Sequence, residues 1–483
     1  MLSTSPGSNP QLPGVGNDGA ILGGRAGPSA PRVPGVLAPP GGQGPAQAAP
    51  EMALPSAIPL NEIPVYSSLD FPEIRGESGP PDGLTLDAAI ERLVRENIYL
   101  RAVAFELPQA EADILTASLR ANPIFYADTQ LVPYGQYTKD RPGGQTQYDV
   151  NVSIPLDVSF KRRARVDSAS KAKRVLEQQY RDAVRLQIDN LYKEYVNVLA
   201  SRVTLRYAEA SVQGLNRILV PVKSRFDQGA TAEADYLRVL IQKESAEIGR
   251  RDAEEQLRRS KRGLASLLNI PPQQADQLEV RDSLLDRVEV VPAEADLIDE
   301  ALRCRPDLVA YRLGVSRAEA DVKLAMANRY NDIYLLYQPY TFQSNEPQGL
   351  KSPTSWAVGL TVPMPIFNRN QGNIQRARLN VGQTQTQLAA QMRLVITEVQ
   401  QANMEYTVTR EALQRFETTV SPIAKKILAD TERRTLLGQE NLIVLLGARN
   451  DFALIVKQYL DTMVRHRRAM LELNTAVGRR VLP

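Results

Sequence analysis

The sequence predicts a mixed fold in which membrane-type β-strands interrupt an otherwise all-α chain, with the whole plan built twice. Three observations predict it. Ala110-Glu111-Ala112-Asp113 recurs as Ala318-Glu319-Ala320-Asp321, and Ile154-Pro155-Leu156 matches Val362-Pro363-Met364, both at an offset of 208 residues. Two separate matches at one offset imply a duplication without net insertion between them. Each copy also holds two stretches of period-two alternation, followed by a helical stretch that at 1.5 Å per residue would span roughly 100 Å.

In the first copy helical periodicity covers about 86–121 and stops at Asn122-Pro123. Strands are expected at about 124–134 and 146–158, around a Gly/Pro loop from Gly135 to Gln145. In the second of these, apolar Tyr148, Val150, Val152 and Ile154 alternate with polar Gln147, Asp149, Asn151 and Ser153. Long helices follow at about 162–226 and 231–266. The second copy repeats the order: a helix at about 306–328, strands at about 331–342 and 355–366, and long helices at about 370–436 and 440–478. Its last strand alternates Trp356, Val358, Leu360 and Val362 with Ala357, Gly359, Thr361 and Pro363. The repeats are thus expected at 84–291 and 292–483.

The closing helix keeps a three-four spacing through Leu442, Leu445, Arg449, Phe452, Val456, Tyr459, Met463, His466, Met470, Leu473 and Val477. That is a coiled-coil seam. Both long helices turn back with the spacing R-x-x-x-G, as Arg225 to Gly229 and Arg434 to Gly438. Glycine suits the left-handed residue that ends a helix.

Residues 1–83 differ in kind, holding 16 of the 33 prolines and 14 of the 29 glycines. Such a segment buries too little apolar surface to offset its ordering entropy, so disorder is expected there. Residues 1–20 lack the basic start and apolar core of a secretory signal. Either the chain is not exported or the sequence begins downstream of its signal, and the motifs below favour the second.

Composition narrows the function. Lys and Arg number 58 against 55 Asp and Glu, and the net charge of +3 is too small to argue for nucleic acid. The basic run Lys161-Arg162-Arg163-Ala164-Arg165 has no aromatic stacking platform beside it. It reads as a ring of cations at a junction, or as a solvated helix start. One cysteine, Cys304, excludes a disulfide framework, and one histidine, His466, excludes a multi-histidine metal site within one chain. No metal site and no cofactor is expected. No phosphate loop, G-x-S-x-G or paired His/Cys arrangement is present, so no catalytic residue is assigned and a non-enzyme is expected. No apolar run approaches the length of a membrane-spanning helix, a test that says nothing about a β-barrel.

The strands have about the length that crosses a bilayer when tilted, and each has a lipid-compatible face. Tyr148, Val150, Val152, Ile154, Trp356, Val358 and Leu360 are expected against lipid, with Gln147, Asp149, Asn151 and Ser153 in a wet lumen. Four strands cannot close a barrel, and an open sheet edge is not tolerated in hydrocarbon. Several chains must pool strands, and three would give twelve.

The residues Leu84-Thr85-Leu86-Asp87-Ala88-Ala89, Arg305-Pro306-Asp307-Leu308, the stretch Pro363 to Ile374 (PMPIFNRNQGNI) and the closing run Gly438 to Gly478 resemble the TolC-like outer-membrane factors. The resemblance covers about 84–478, and PMPIFNRNQGNI with the closing run looks most similar to the heavy-metal cation efflux branch. It implies a homotrimer with a twelve-stranded barrel in the outer membrane, continued through the periplasm by an α-helical coiled-coil tunnel. It further implies a periplasmic adaptor (membrane-fusion) protein docked at the tunnel tip and an inner-membrane pump of the RND type. The function implied is passive conduction out of a Gram-negative-type cell, as the exit duct of a tripartite efflux system. A type I secretion duct for polypeptides is the alternative within transport, and a soluble coiled-coil scaffold the alternative outside it.

Arg225, Gly229, Arg434 and Gly438 fall where relatives meet the adaptor; the plainer reading is that they only form turns. Several family members narrow the tip with aspartates six and nine residues past the second-copy glycine, where this chain has Val444 and Gly447. The first-copy equivalents are Asp235 and Arg238, which makes Asp235 the candidate tip gate.

Overall fold

A computed structural model describes residues 79–131, 146–284, 292–344, 351–437 and 439–482. All of them belong to the unit Gln47–Pro483. The first helices are α1 (Leu86–Glu96), α2 (Ile98–Ala104) and α3 (Glu106–Ser118). The continuous helix expected over 86–121 is therefore broken. Asn97 causes the first break: it is buried and extended, its side chain accepts from Leu100 N at 3.0 Å and its amide donates to the Leu267 carbonyl at 2.9 Å. A side chain that caps a new helix ends the old one.

Strands β1 (Ile124–Leu131) and β2 (Thr146–Leu156) follow. The remainder of the expected first strand, 132–134, and the loop Gly135 to Gln145 lie outside the described residues. The chain then forms α4 (Lys161–Asp227), α5 (Glu233–Leu267) and the short α6 (Pro272–Ala275). At 67 residues, α4 spans about 100 Å.

The second copy begins with α7 (Glu294–Cys304), a helix that hydropathy reading from Arg305 onward overlooks, although it lies 208 residues after α1. It continues through α8 (Pro306–Ala327), β3 (Ile333–Gln343) and β4 (Thr354–Thr361). The last strand is shorter than the expected 355–366, because Pro363 and Pro365 have no N–H to give to a ladder. The helix expected over 370–436 is interrupted. It divides into α9 (Gln371–Arg415), a π-helical turn at Phe416–Val420, and α10 (Ser421–Leu436). Pro422 lacks the N–H that would continue an α-ladder, and the wider turn just before it takes up the mismatch. Helix α11 (Leu442–Val477) closes the fold.

The four strands form one antiparallel sheet in the order β1-β2-β3-β4, so β1 and β4 are its edges. The register shifts where Val150 faces Tyr340 but Val152 faces Tyr337, leaving Pro339 in the bulge. Helix α4 packs on α5 and α8, and α9 on α8 and α11. On α11 the seam residues from Leu445 to Val477 are all buried, with only Leu442 partly open.

At the join of α7 and α8 sits Arg305, 2% exposed. Its guanidinium donates to both carboxylate oxygens of Asp307 at 3.1 and 2.7 Å, to Glu398 of α9 at 2.6 Å, and to the Ala476 carbonyl at the end of α11 at 3.0 Å. Burial pushes the Asp307 carboxyl up, but the guanidinium beside it holds it below the usual carboxylate range. The chain leaves α11 through Gly478 at φ +81°, where an added Cβ would lie 2.8 Å from Arg305 Cγ. Gly229, at φ +73°, has open space around it. Both glycines to alanine would cost about 1–2 kcal/mol of left-handed strain. Gly478→Ala is expected to cost clearly more than Gly229→Ala, because the Arg305 side chain must also move. Thermal unfolding of the two detergent-extracted variants checks this, and equal losses would contradict the close approach.

Candidate functional site

The sheet has two chemically different faces. Gln147, Asp149, Asn151 and Ser153 share one face of β2, and Asp149 and Asn151 are 9% exposed even within a single chain. Asp149 faces Asp128 of β1, and Asn151 faces Tyr126. The amides of Gln147 and Gln338 donate to Asp149 at 2.7 and 3.0 Å. Asp128 accepts from the Tyr126 hydroxyl at 3.0 Å and from Gln130 at 3.2 Å. This face therefore carries acids, amides and hydroxyls from three strands, of which sequence alternation found only the β2 set. Finding the rest requires the register, which sets Asp128 opposite Asp149.

The opposite face carries Tyr148, Val150, Val152 and Ile154, paired with Thr129, Ala127 and Phe125 on β1 and with Phe342, Tyr340, Tyr337 and Leu335 on β3. Val358 and Leu360 continue it on β4, opposite Tyr337 and Leu335. Trp356 is 72% exposed on the same strand. Tyr148 and Phe342 rings lie 6.0 Å apart, a contact available to cross-strand neighbours.

Each strand pair leads into its long helix through a left-handed residue, Phe160 at φ +58° and Asn370 at φ +57°. Sequence reading did not single out either one. Asp157 caps α4, accepting from Lys161 N and Arg162 N at 2.8 Å each. In the basic run, Arg162 and Arg165 donate to the Ser118 and Leu119 carbonyls at the end of α3, and Lys161 pairs with Asp332 at 2.9 Å. Much of that charge thus ties helix ends together.

At the other end, α4 turns into α5 as expected. Gly229 N donates to the Phe226 carbonyl and Ala230 N to the Arg225 carbonyl, both at 2.8 Å. Gln439 N reaches the Arg434 carbonyl at 2.9 Å with the same five-residue spacing. Gly438 itself lies outside the described residues. Phe226 stacks on Tyr236 across the first turn, and Val222, Val239 and Leu446 pack together, which brings α11 against the first-copy turn. Asp235 forms an ion pair with Arg238 at 3.6 Å, and Arg434 one with Glu440 at 3.8 Å. Val444 is exposed, and an added Cβ at Gly447 would meet nothing within 4 Å.

No group of three or more His, Cys, Asp or Glu among the described residues is arranged to hold a metal ion. No described helix is long and apolar enough to cross a membrane. His466 lies inside the seam, its Nδ1 3.1 Å from Thr409 Oγ1 and its ring stacked 5.2 Å from Tyr406.

A sheet with one polar and one apolar face, leading into two helical hairpins whose longer arms run about 100 Å, is the architecture of a channel wall. The model of the outer membrane efflux protein family matches residues 89–269 and 297–479, one match to each copy. The chain belongs to this family and serves as the outer-membrane exit duct of a tripartite efflux system. Among curated proteins it is similar to the cobalt-zinc-cadmium resistance protein CzcC of Cupriavidus metallidurans, 24% identical over 410 residues, 84% of this chain and 92% of that protein. Among solved structures, CusC superposes with a TM-score of 0.65 at 15% identity, covering 86% of this chain and 97% of that one. The outer-membrane channel OprN gives 0.67 at 17% identity over the same shares.

Burial lowers the pKa of His466 from 6.5 to about 4. The folded chain then holds that proton less well than the unfolded chain. Stability is untouched above about pH 6.5, falls as the pH drops towards 4, and levels off below, by about 3 kcal/mol in all. His466→Asn, whose amide can replace Nδ1 toward Thr409, is expected to flatten this part of the pH dependence. Thermal unfolding of both proteins between pH 7 and 4 reads it (the window set by those two pKa values). Parallel curves would show that His466 does not titrate in this window.

Proposed function

We propose that three copies of this chain form the duct, pooling twelve strands into one outer-membrane barrel, and that its cargo is a heavy-metal cation. The observation that carries the reading is the four-stranded sheet, apolar on one face and polar on the other, with two open edges. Closing such a sheet in hydrocarbon requires further strands. On this reading Asp149 and its neighbours wet the lumen, and Trp356, Val358 and Leu360 face lipid. The repeats 84–291 and 292–483 each supply two strands and one helical hairpin to the periplasmic tunnel. The cargo reading is supported by CzcC, whose name states cobalt, zinc and cadmium resistance. Transport is passive on this reading, and an inner-membrane pump of the RND type supplies the drive.

The α4–α5 and α10–α11 turns dock the periplasmic adaptor, through Arg225, Gly229, Arg434 and Gly438. Asp235 is the acidic candidate at this tip, partly offset by Arg238.

A strain lacking the chain is expected to become sensitive to zinc, cobalt or cadmium, with secretion of polypeptides intact. Loss of secreted protein without metal sensitivity would favour the type I duct. In the complemented strain, Asp149→Cys and Asn151→Cys should react with an aqueous maleimide, and Val150→Cys and Val152→Cys should be shielded. The reverse pattern would overturn the assignment of the faces. Arg434→Glu should leave the outer-membrane level unchanged and abolish cross-linking to the adaptor, with resistance falling about tenfold or more, as for a charge reversal at an interface hot spot. Normal cross-linking would remove Arg434 from the docking surface.

A further inference from the structure

Where the sheet meets the helices, a groove of about 520 Å³ opens between the end of α8, the start of β3 and the end of β4. That volume lies in the range of ligand pockets and is far larger than a single ion needs. Its floor continues the apolar face of the sheet. Ile333 is paired with Leu156, and Val362 comes two residues after Leu360, which pairs with Leu335. Its lip is polar and basic. Lys323 projects from α8 and has no carboxylate partner among the described residues, and Tyr330 and Asn331 lie beside it. The nearby acid, Asp332, is already neutralised by Lys161 at 2.9 Å. Arg329 sits over the Tyr330 ring, 5.4 Å from its centroid.

Beyond the groove, Met364, Ile366 and Phe367 are strongly exposed, Phe367 at 90%, in a segment that pairs with no strand among the described residues. An apolar surface that ends at a free cation, an aromatic ring and exposed large apolar side chains has the chemistry of the headgroup level of a bilayer.

We propose that this groove binds one glycerophospholipid of the periplasmic leaflet per chain, its phosphate at Lys323 and Asn331 and its acyl chains along Ile333 and Val362. The inference rests on the reading that the apolar face meets the membrane. The lipid supplies what the groove lacks: an anion for Lys323, and methylene groups over Ile333 and Val362. It also fixes the depth at which the strands give way to helices, since the phosphate must sit where the apolar face stops.

The test is native mass spectrometry of the detergent-extracted, delipidated oligomer, titrated with phosphatidylglycerol and separately with diacylglycerol. One phosphatidylglycerol per chain is expected. Diacylglycerol, which lacks the phosphate, should bind about tenfold more weakly, the effect of one lost charge-assisted contact. Lys323→Glu should weaken phosphatidylglycerol by at least that factor, and Ala327→Trp, which fills the groove, should abolish binding. Glycerol 3-phosphate alone should not bind, which separates a lipid from a free phosphate site. Equal binding by both lipids, or by wild type and Lys323→Glu, would overturn the site with the duct intact. A cross-link from Met326→Cys to a neighbouring chain at full yield would show the groove covered by protein and overturn it as well. A chain that needs no detergent for extraction would overturn the site and the duct reading together.

Discussion

In hydrocarbon an unpaired backbone N–H or C=O costs several kcal/mol, and among the described residues of one chain no strand pairs with the outer edges of β1 and β4. Much else in the fold follows from that constraint. On the trimeric reading proposed above, both the first and the last strand must stay available to other strands, so neither edge can be covered by the chain's own helices. The register must also be firm, because a slip of one residue would exchange Asp149 and Val150 between the polar and the apolar face. The pairing of Asp128 with Asp149 would be unfavourable on a dry face. With Gln147, Gln338, Gln130 and the Tyr126 hydroxyl donating to them, the two carboxylates are tolerated.

The duplication makes the two halves equivalent in plan while leaving their joints chemically different. Asn97 and Arg305 lie 208 residues apart, and each reaches a carbonyl at the end of its own copy's last long helix, Leu267 and Ala476. Asparagine does this with one neutral hydrogen bond. Arginine does it while also pairing with Asp307 and Glu398, and removing one partner of such a buried pair typically costs about 3–5 kcal/mol. The left-handed residue past each of those helices differs in the same way. In the first copy it is Asn269, and in the second Gly478, where the Arg305 side chain leaves no room for a Cβ. The second-copy joint is therefore the more tightly built. It also gathers the C-terminal tail, since Asn474 bonds Val481 and Leu482 at 2.7–2.8 Å.

Long-period features were legible in the sequence, and features that depend on a single side chain meeting a distant one were not. The seam on α11, the R-x-x-x-G turn at Gly229 and the alternation on β2 each rest on local periodicity or one glycine's conformational freedom. The break at Asn97 is invisible to periodicity, because the helical spacing runs straight through it, and the bond to the distant Leu267 carbonyl joins the local cap on Leu100 N in holding Asn97 out of the helix. The shortened β4 was legible in Pro363 and Pro365, which the alternation of Trp356 to Val362 outweighed. The apolar-polar division of the sheet could be read from β2 alone, whereas the partners of Asp149 depend on a register set partly by the Pro339 bulge. Left-handed Phe160 gave no signal, since an aromatic residue is an unfavourable choice for that conformation.

The α11 seam carries two polar residues where apolar ones would bury more cheaply. Arg449 is 3% exposed and its charge is met by Glu432 of α10 at 2.6 Å, with Nε and Nη1 left without partners. Burial pushes its guanidinium pKa down, a measure of how poorly the site suits a charge. His466 is likewise neutral at the pH where Thr409 and Tyr406 hold it. A purely apolar seam on helices this long would pack almost as well after sliding by one heptad, because every layer would look alike. The Arg449–Glu432 and His466–Thr409 contacts are satisfied in only one alignment of α11 against α9 and α10. Sliding the helix would strand a buried charge and a buried imidazole, a far larger penalty than the one the native alignment carries. The cost of these residues is thus what fixes the level of the tip turns relative to the sheet, and a duct that must meet another protein at one end and a membrane at the other depends on that length being single-valued.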